Sequence, residues 1–168
     1  MSNKAISLVL GSGGARGLAH VGVIRWLEEH GHKIRSISGC SIGSFIGGAY
    51  ATGTLDAIVN WMENLTKKEI YSMLDLSFSR DSLVKGDRLA EVIQSKIGTG
   101  LIEDLPIKFT AVAADIATEK EHWFQTGPID QAIRASVSLP LLFTPHTVDG
   151  VQLIDGGILN PTPIEPTL

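Results

Sequence analysis

The chain has 168 residues, 43% of them hydrophobic, so it can build one packed domain and is not a disordered chain. Its net charge of −4 and pI of about 5.7 exclude a nucleic-acid binder that would need a basic stripe. One cysteine, Cys40, excludes a disulfide framework and a cysteine-based zinc site.

Ala5 to Leu10 reads as a short buried strand closed by Gly11, and Gly11-Ser12-Gly13-Gly14 as a loop. Leu18 to His30 has apolar residues near helical spacing and a stop at Gly31. Ile34 to Ser38 is a second strand, followed by Gly39-Cys40-Ser41-Ile42-Gly43 and a helix of small residues from Ile42 to Ala51. Thr54 is the expected N-cap of a helix whose stripe is Leu55, Ile58, Trp61 or Met62, and Leu65. An irregular stretch runs from about Glu69 to Gly86, and Asp87 is the expected cap of a helix to Ile97. Ile107 to Ala114 and Glu121 to Gln125 read as strands, and Pro128 suits the first turn of a helix through about Ser136. Asp149-Gly150 is a hairpin signal between Thr147-Val148 and Val151 to Ile154. Strand-helix alternation at the start predicts right-handed βαβ units and an α/β sheet in a single domain over 1–168. The last residues, Asn160 to Leu168, bring no obvious closing element, so a fragment of a longer protein is expected. The N-terminal apolar run is too short for a signal peptide and no stretch is long enough to span a bilayer, which predicts a cytoplasmic protein.

Three pieces could carry chemistry. Gly39 to Gly43 is a G-x-S-x-G sequence between a strand and a helix, the setting of a nucleophile elbow, and it can equally be a glycine turn with Ser41 as an N-cap. Gly11 to Gly17 follows a strand and precedes a helix. As a dinucleotide fingerprint it fails, because Arg16 stands where the third glycine belongs and no acidic residue follows about 20 positions on. As an oxyanion hole it offers backbone N–H groups near Gly13, Gly14 and Ala15. Asp155-Gly156-Gly157 closes a strand, and its carboxylate could take a proton from Ser41 or merely shape a turn. No histidine follows Asp155, so a Ser-Asp-His order needs a histidine beyond Leu168, and the other option is a Ser-Asp dyad. His146 is the one late base candidate, but a loop role suits it better. His20 reads as a surface or packing residue, Asp115 as a turn-stabilising carboxylate, Cys40 as a small filler, and Trp26, Trp61 and Trp123 as core or pocket wall. Tyr71 to Phe78 and Leu139 to Phe143 are candidates for an apolar mouth.

Taken together, the loop Gly11 to Gly17, the elbow Gly39 to Gly43 and the motif Asp155 to Gly157 resemble the patatin-like phospholipase family. Ala19 to Val23, Ala135 to Pro140 and Asn160 to Pro163 are similar to that family as well. The resemblance implies a three-layer α/β/α sandwich with a mainly parallel central sheet, and a serine lipid acyl hydrolase of phospholipase A or lysophospholipase type. It implies Ser41 as nucleophile, Asp155 as proton acceptor, and Gly11, Gly13, Gly14, Ala15 and Arg16 as the oxyanion loop. Gly39, Gly43, Gly156 and Gly157 are then the motif glycines. No cofactor or metal is implied; the partner is a lipid ester or phospholipid, with transient membrane-surface contact and no nucleic acid. A thioesterase or acyltransferase on the same site, and a catalytically weak lipid-binding or partner-binding module, are the rival readings.

Overall fold

The computed structural model describes residues 4–69 and 86–167. Its elements are β1 (Ala5–Leu10), a 3-10 turn (Gly14–Leu18), α1 (Ala19–Glu29), β2 (Lys33–Cys40), α2 (Ile42–Ala51) and α3 (Leu55–Glu63). They continue with α4 (Asp87–Lys96), β3 (Lys108–Asp115), β4 (Lys120–Phe124), α5 (Ile129–Ser136), β5 (His146–Val148) and β6 (Val151–Asp155). Further 3-10 turns cover Ile102–Asp104, Gly156–Ile158 and Glu165–Thr167.

The sheet runs β1-β2-β3-β6-β5, with β4 on β3 as well. β1, β2 and β3 are parallel, and β4, β6 and β5 join antiparallel. The registers Leu8↔Ile37 and Ile37↔Phe109 put these apolar residues on one face. Gly47 of α2 lies against Ile37, Leu10 and Phe109, so that face meets the helices. Ser7, Ser36, Ser38 and Thr110 point the other way. There Pro166 and Thr167 line a cleft with Ser7, Ser36 and Thr110, and Pro163 is fully buried. The sheet thus has helical turns on both sides, the α/β class read from the sequence.

Local details differ from expectation. β2 reaches Cys40 rather than stopping near Ser38, because β3 pairs with it through Gly39 and Cys40. Thr54 stands at the α3 N-cap without a capping bond, its hydroxyl being 3.0 Å from that of Thr52. Gly86, at φ 69, caps α4, and Asp87 is its first helical residue. Pro128 lies just outside α5 as its N-cap. Trp26 and Trp123 are not core: both are exposed, Trp26 stacked 3.9 Å from the His30 ring and Trp123 donating to Glu121 at 2.7 Å. The mouth candidate Tyr71 to Phe78 lies outside the described residues. No helix among the described residues is long and apolar enough to cross a membrane.

Candidate active site

The register of β3 explains how two residues distant in sequence meet. Ala111 and Val112 pair with both β2 and β4, so β2 and β4 occupy opposite edges of β3. Ala113 to Asp115 pair with both β4 and β6, so β6 shares the edge that β2 occupies. β2 climbs that edge and stops at Cys40 opposite Val112. β6 descends the same edge and stops at Asp155 opposite Ala113. The two strand ends therefore abut, and Ser41 and Asp155 are the residues at the junction.

Ser41 has φ 55 and ψ −126, a conformation that side chains other than glycine adopt at a cost of about 1–3 kcal/mol. The two glycines around it are steric requirements of that turn. A Cβ on Gly39 would lie 2.5 Å from Gly43 O, and one on Gly43 would lie 2.0 Å from Leu10 O. Ser41 stands at the N-cap of α2, yet its side chain makes no capping bond. Its hydroxyl instead donates to Asp155 Oδ2 at 2.5 Å. The Ser41 side chain therefore does not act as a helix cap.

Asp155 is 2% exposed and its carboxylate is fully engaged. Oδ2 accepts from Ser41, while Oδ1 accepts from Gly157 N–H at 2.8 Å and from the Cys40 thiol at 3.9 Å. Burial pushes the Asp155 pKa above its ordinary value, and the bonds from Ser41, Gly157 and Cys40 pull against that. The Cys40 thiol is itself driven up, first by burial and then by the Asp155 charge, which keeps it protonated and inert as a nucleophile. Cys40 is thus more than a filler.

The glycine loop wraps the same corner. Ser12 N–H is held by Pro161 O at 2.8 Å and Arg16 N–H by Gly13 O at 3.3 Å. The N–H groups of Gly13, Gly14 and Ala15 have no acceptor among the described residues. Gly14 is in the left-handed region at φ 56 and borders the cavity in which Ser41 lies. Arg16 is exposed on the following 3-10 turn. His20, read as a surface or packing residue, has a defined partner: its Nε2 donates to Gly11 O at 2.8 Å and ties α1 to the loop.

Ser41 opens into an apolar cavity of about 240 Å³. Its walls include Ile42 and Phe45 of α2, Trp61 and Met62 of α3, Leu89 and Val92 of α4, and Val137, Leu139 and Phe143 after α5. Trp61 is therefore a pocket wall, and the segment Leu139 to Phe143 borders the cavity as expected. The other candidates are engaged elsewhere. His146 Nε2 bonds Gln131 Oε1 at 2.7 Å, and burial lowers its pKa. Asp115 accepts from Ala117 N–H at 2.8 Å and Thr118 Oγ at 2.7 Å, the local turn role assigned to it. No group of three or more His, Cys, Asp or Glu side chains among the described residues could hold a metal ion.

Sequence reasoning gave no role to Ser136 and Ser138. Ser136 Oγ accepts from Ser41 N–H at 2.9 Å and donates to Val112 O at 2.6 Å. Ser138 O accepts from Asp155 N–H at 2.9 Å.

The sequence pattern described as patatin-like phospholipase matches residues 8–168. A Mycobacterium tuberculosis protein described as an uncharacterized NTE family protein is 46% identical over 165 residues, which is 98% of this chain and 46% of that protein. Lysophospholipase NTE1 of Candida albicans is 38% identical over 168 residues, which is 98% of this chain and 12% of the fungal protein. The crystal structure of VipD from Legionella pneumophila superposes with a TM-score of 0.55 at 17% identity, over 97% of this chain and 47% of VipD, a likeness of fold. The chain thus spans about half the length of the mycobacterial relative and far less of the fungal one. With the matched pattern running over nearly its whole length, the chain belongs to the patatin-like phospholipase family.

Proposed function

We propose that this chain is a serine acyl hydrolase of lipid esters, of phospholipase A or lysophospholipase type, working through Ser41 and Asp155. The observation that carries the reading is the 2.5 Å bond from Ser41 Oγ to a buried carboxylate at the edge of an apolar cavity. A lipid ester sets its acyl chain between Phe45, Met62 and Val92, with its carbonyl between Ser41 Oγ and the loop amides. As Oγ attacks the carbonyl carbon, its proton passes to Asp155 Oδ2 and the carbonyl π electrons move to oxygen. The free N–H groups of Gly13, Gly14 and Ala15 receive that oxyanion, each such donor contributing about 3 kcal/mol in comparable sites. The N-terminus of α2 adds a favourable dipole. Collapse expels the alcohol of the lysolipid or glycerol portion, which leaves with the proton held by Asp155. Water then attacks the acyl-enzyme carbonyl and gives a proton to Asp155; as the second tetrahedral intermediate breaks its C–Oγ bond, Asp155 returns that proton to Ser41 Oγ and the fatty acid is released. The likeness to a lysophospholipase supports the substrate class.

The test is covalent. A fluorophosphonate probe is expected to label the wild-type protein stoichiometrically at Ser41, located by peptide mass mapping, and to leave Ser41→Ala unlabelled. Labelling at another serine, or none in a folded protein, defeats the reading.

The cavity walls predict chain-length preference. Met62→Trp is expected to fill the acyl cavity, lowering kcat/KM on a decanoyl nitrophenyl ester about tenfold relative to the acetyl ester. About two excluded methylenes at about 0.8 kcal/mol each give a change of that size. An unchanged decanoyl-to-acetyl ratio would place the acyl chain outside this cavity.

A further inference from the structure

We infer that Ser136 is a positioning residue for the reaction, holding Ser41 in its left-handed turn so that its hydroxyl meets Asp155. The inference rests on the proposed role of Ser41, and it starts from the break in the β-ladder. The edge of β3 is served by β2 as far as Val112 and by β6 from Ala113 onward. A strand that stops leaves its next N–H without a ladder partner, and Ser41 supplies that N–H in a site where it is only 6% exposed. A buried amide with no acceptor is costly, and here that cost would fall on a turn already strained at φ 55, whose carbonyl is held by α2 but whose N–H points away from it.

Ser136 fills the break. Its side chain is fully buried and its hydroxyl does two things at once, accepting from Ser41 N–H at 2.9 Å and donating to Val112 O at 2.6 Å. Val112 is the residue opposite which β2 ends. One hydroxyl thus takes the place of the missing rung. The same turn fixes the other half of the pair. Ser138 O accepts from Asp155 N–H at 2.9 Å, so the C-terminal end of α5 holds the backbone of both Ser41 and Asp155. Arg134, 3% exposed, locks this turn: its Nη1 donates to Ser138 Oγ at 2.6 Å, and Ser138 Oγ donates to Arg134 O at 2.8 Å. Two strand ends that share no covalent neighbourhood are therefore brought into register by a third element. A small error there matters, because a displacement of about 1 Å between reacting groups can cost about 10²-fold in rate.

The experiment uses the full chain with Ser136→Ala, Ser136→Cys and Ser136→Thr, each measured per folded molecule. Ser136→Ala is expected to lower kcat on a short nitrophenyl ester about 10²-fold with KM unchanged, and to slow fluorophosphonate labelling of Ser41 by the same factor. Ser136→Cys keeps a donor and acceptor at the same place, slightly larger and weaker at both, so it is expected to fall between Ala and the parent, and it serves if the Ala variant does not fold. Ser136→Thr keeps the hydroxyl and is expected to restore labelling to within a few-fold. A merely structural role would lower the melting temperature and leave kcat and labelling rate per folded molecule within twofold of the parent; that result, or a rise in KM alone, overturns the proposal. Wild-type hydrolysis that survives in Ser41→Ala would defeat the proposed function itself, whereas an inactive Ser41→Ala beside a fully active Ser136→Ala would defeat only this inference.

Discussion

Asp155→Asn is expected to abolish about 10⁴-fold of the hydrolytic rate while leaving the protein as stable as the parent or more so at pH 7. The amide has the shape of the carboxylate, so its oxygen can still accept from Gly157 N–H, as Oδ1 does at 2.8 Å. It cannot take the Ser41 proton, and in triad hydrolases neutralising the aspartate one step behind the base already costs about 10⁴-fold, so the loss of the base itself should be at least that large. Stability moves oppositely because burial raises the folded pKa of Asp155 above the ordinary carboxylate value. Above the folded pKa the ionised carboxyl carries the full burial penalty. As pH falls through that value the carboxyl protonates and the penalty fades, until below the unfolded value it is gone. Asparagine carries no such penalty, so its stability advantage in denaturant melts is expected at pH 7 and is expected to shrink on acidification. The parent protein supplies the matching kinetic check. Its kcat/KM should rise with pH along a limb centred above 3.8, the ordinary aspartate value, and that limb should vanish from the residual activity of the variant. An Asp155→Asn protein that keeps a tenth of the parent rate would remove the carboxylate from the mechanism.

What the sequence made legible follows from where the constraint lies. The elbow was readable because its glycines answer to neighbours within a few residues or at the adjoining strand: Gly39 is confined by Gly43, and Gly43 by Leu10 and Gly11. The loop of Gly13 and Gly14 was readable because a left-handed turn with free amides needs glycine, whatever the rest of the chain does. The pairing of Ser41 with Asp155 could be suspected from motif order, but the reason they touch is the shared edge of β3, which no local pattern reveals. Ser136 and Ser138 were beyond reach for the same reason. A Ser-x-Ser at a helix end reads as an ordinary stop, and its meaning comes from the ladder break it fills. Local rules also misplaced the end of β2. A strand ended at Ser38 leaves Gly39 and Cys40 to the turn, but their pairing with Ala111 and Val112 keeps both in the ladder. Thr54 and Asp87 looked like caps by residue type, yet the Thr54 hydroxyl turns to Thr52, and the backbone of Gly86 supplies the turn before Asp87. Trp26 shows the limit of hydropathy: it lies off the buried Val21 and Ile24 stripe of α1 and stacks on His30 instead.

Gly43→Ala is expected to destroy labelling of Ser41 and to destabilise the fold by about 2–4 kcal/mol, whereas Gly22→Ala is expected to be harmless or stabilising by up to about 1 kcal/mol. The two substitutions add the same methyl group to a helix. At Gly22, in α1, nothing lies within 4 Å of the new Cβ, and alanine is simply the better helix former. At Gly43, in the first turn of α2, the new Cβ would be 2.0 Å from Leu10 O and 2.8 Å from Gly11 O. Those are backbone atoms at the end of β1 and the start of the glycine loop, so no rotamer change relieves the clash. Either α2 lifts away, carrying Ser41 off Asp155, or the loop is pushed outward, carrying the free amides away from the position of the oxyanion. Both motions separate groups that the proposed chemistry needs together, so probe labelling should fall even in the fraction of molecules that stays folded. Thermal melts of the two variants read the stability difference, and mass spectrometry of the probe-treated proteins reads the site. A Gly43→Ala protein that labels at the parent rate would mean that loop and elbow can part without loss of chemistry, and the loop amides would then have no claim on the oxyanion.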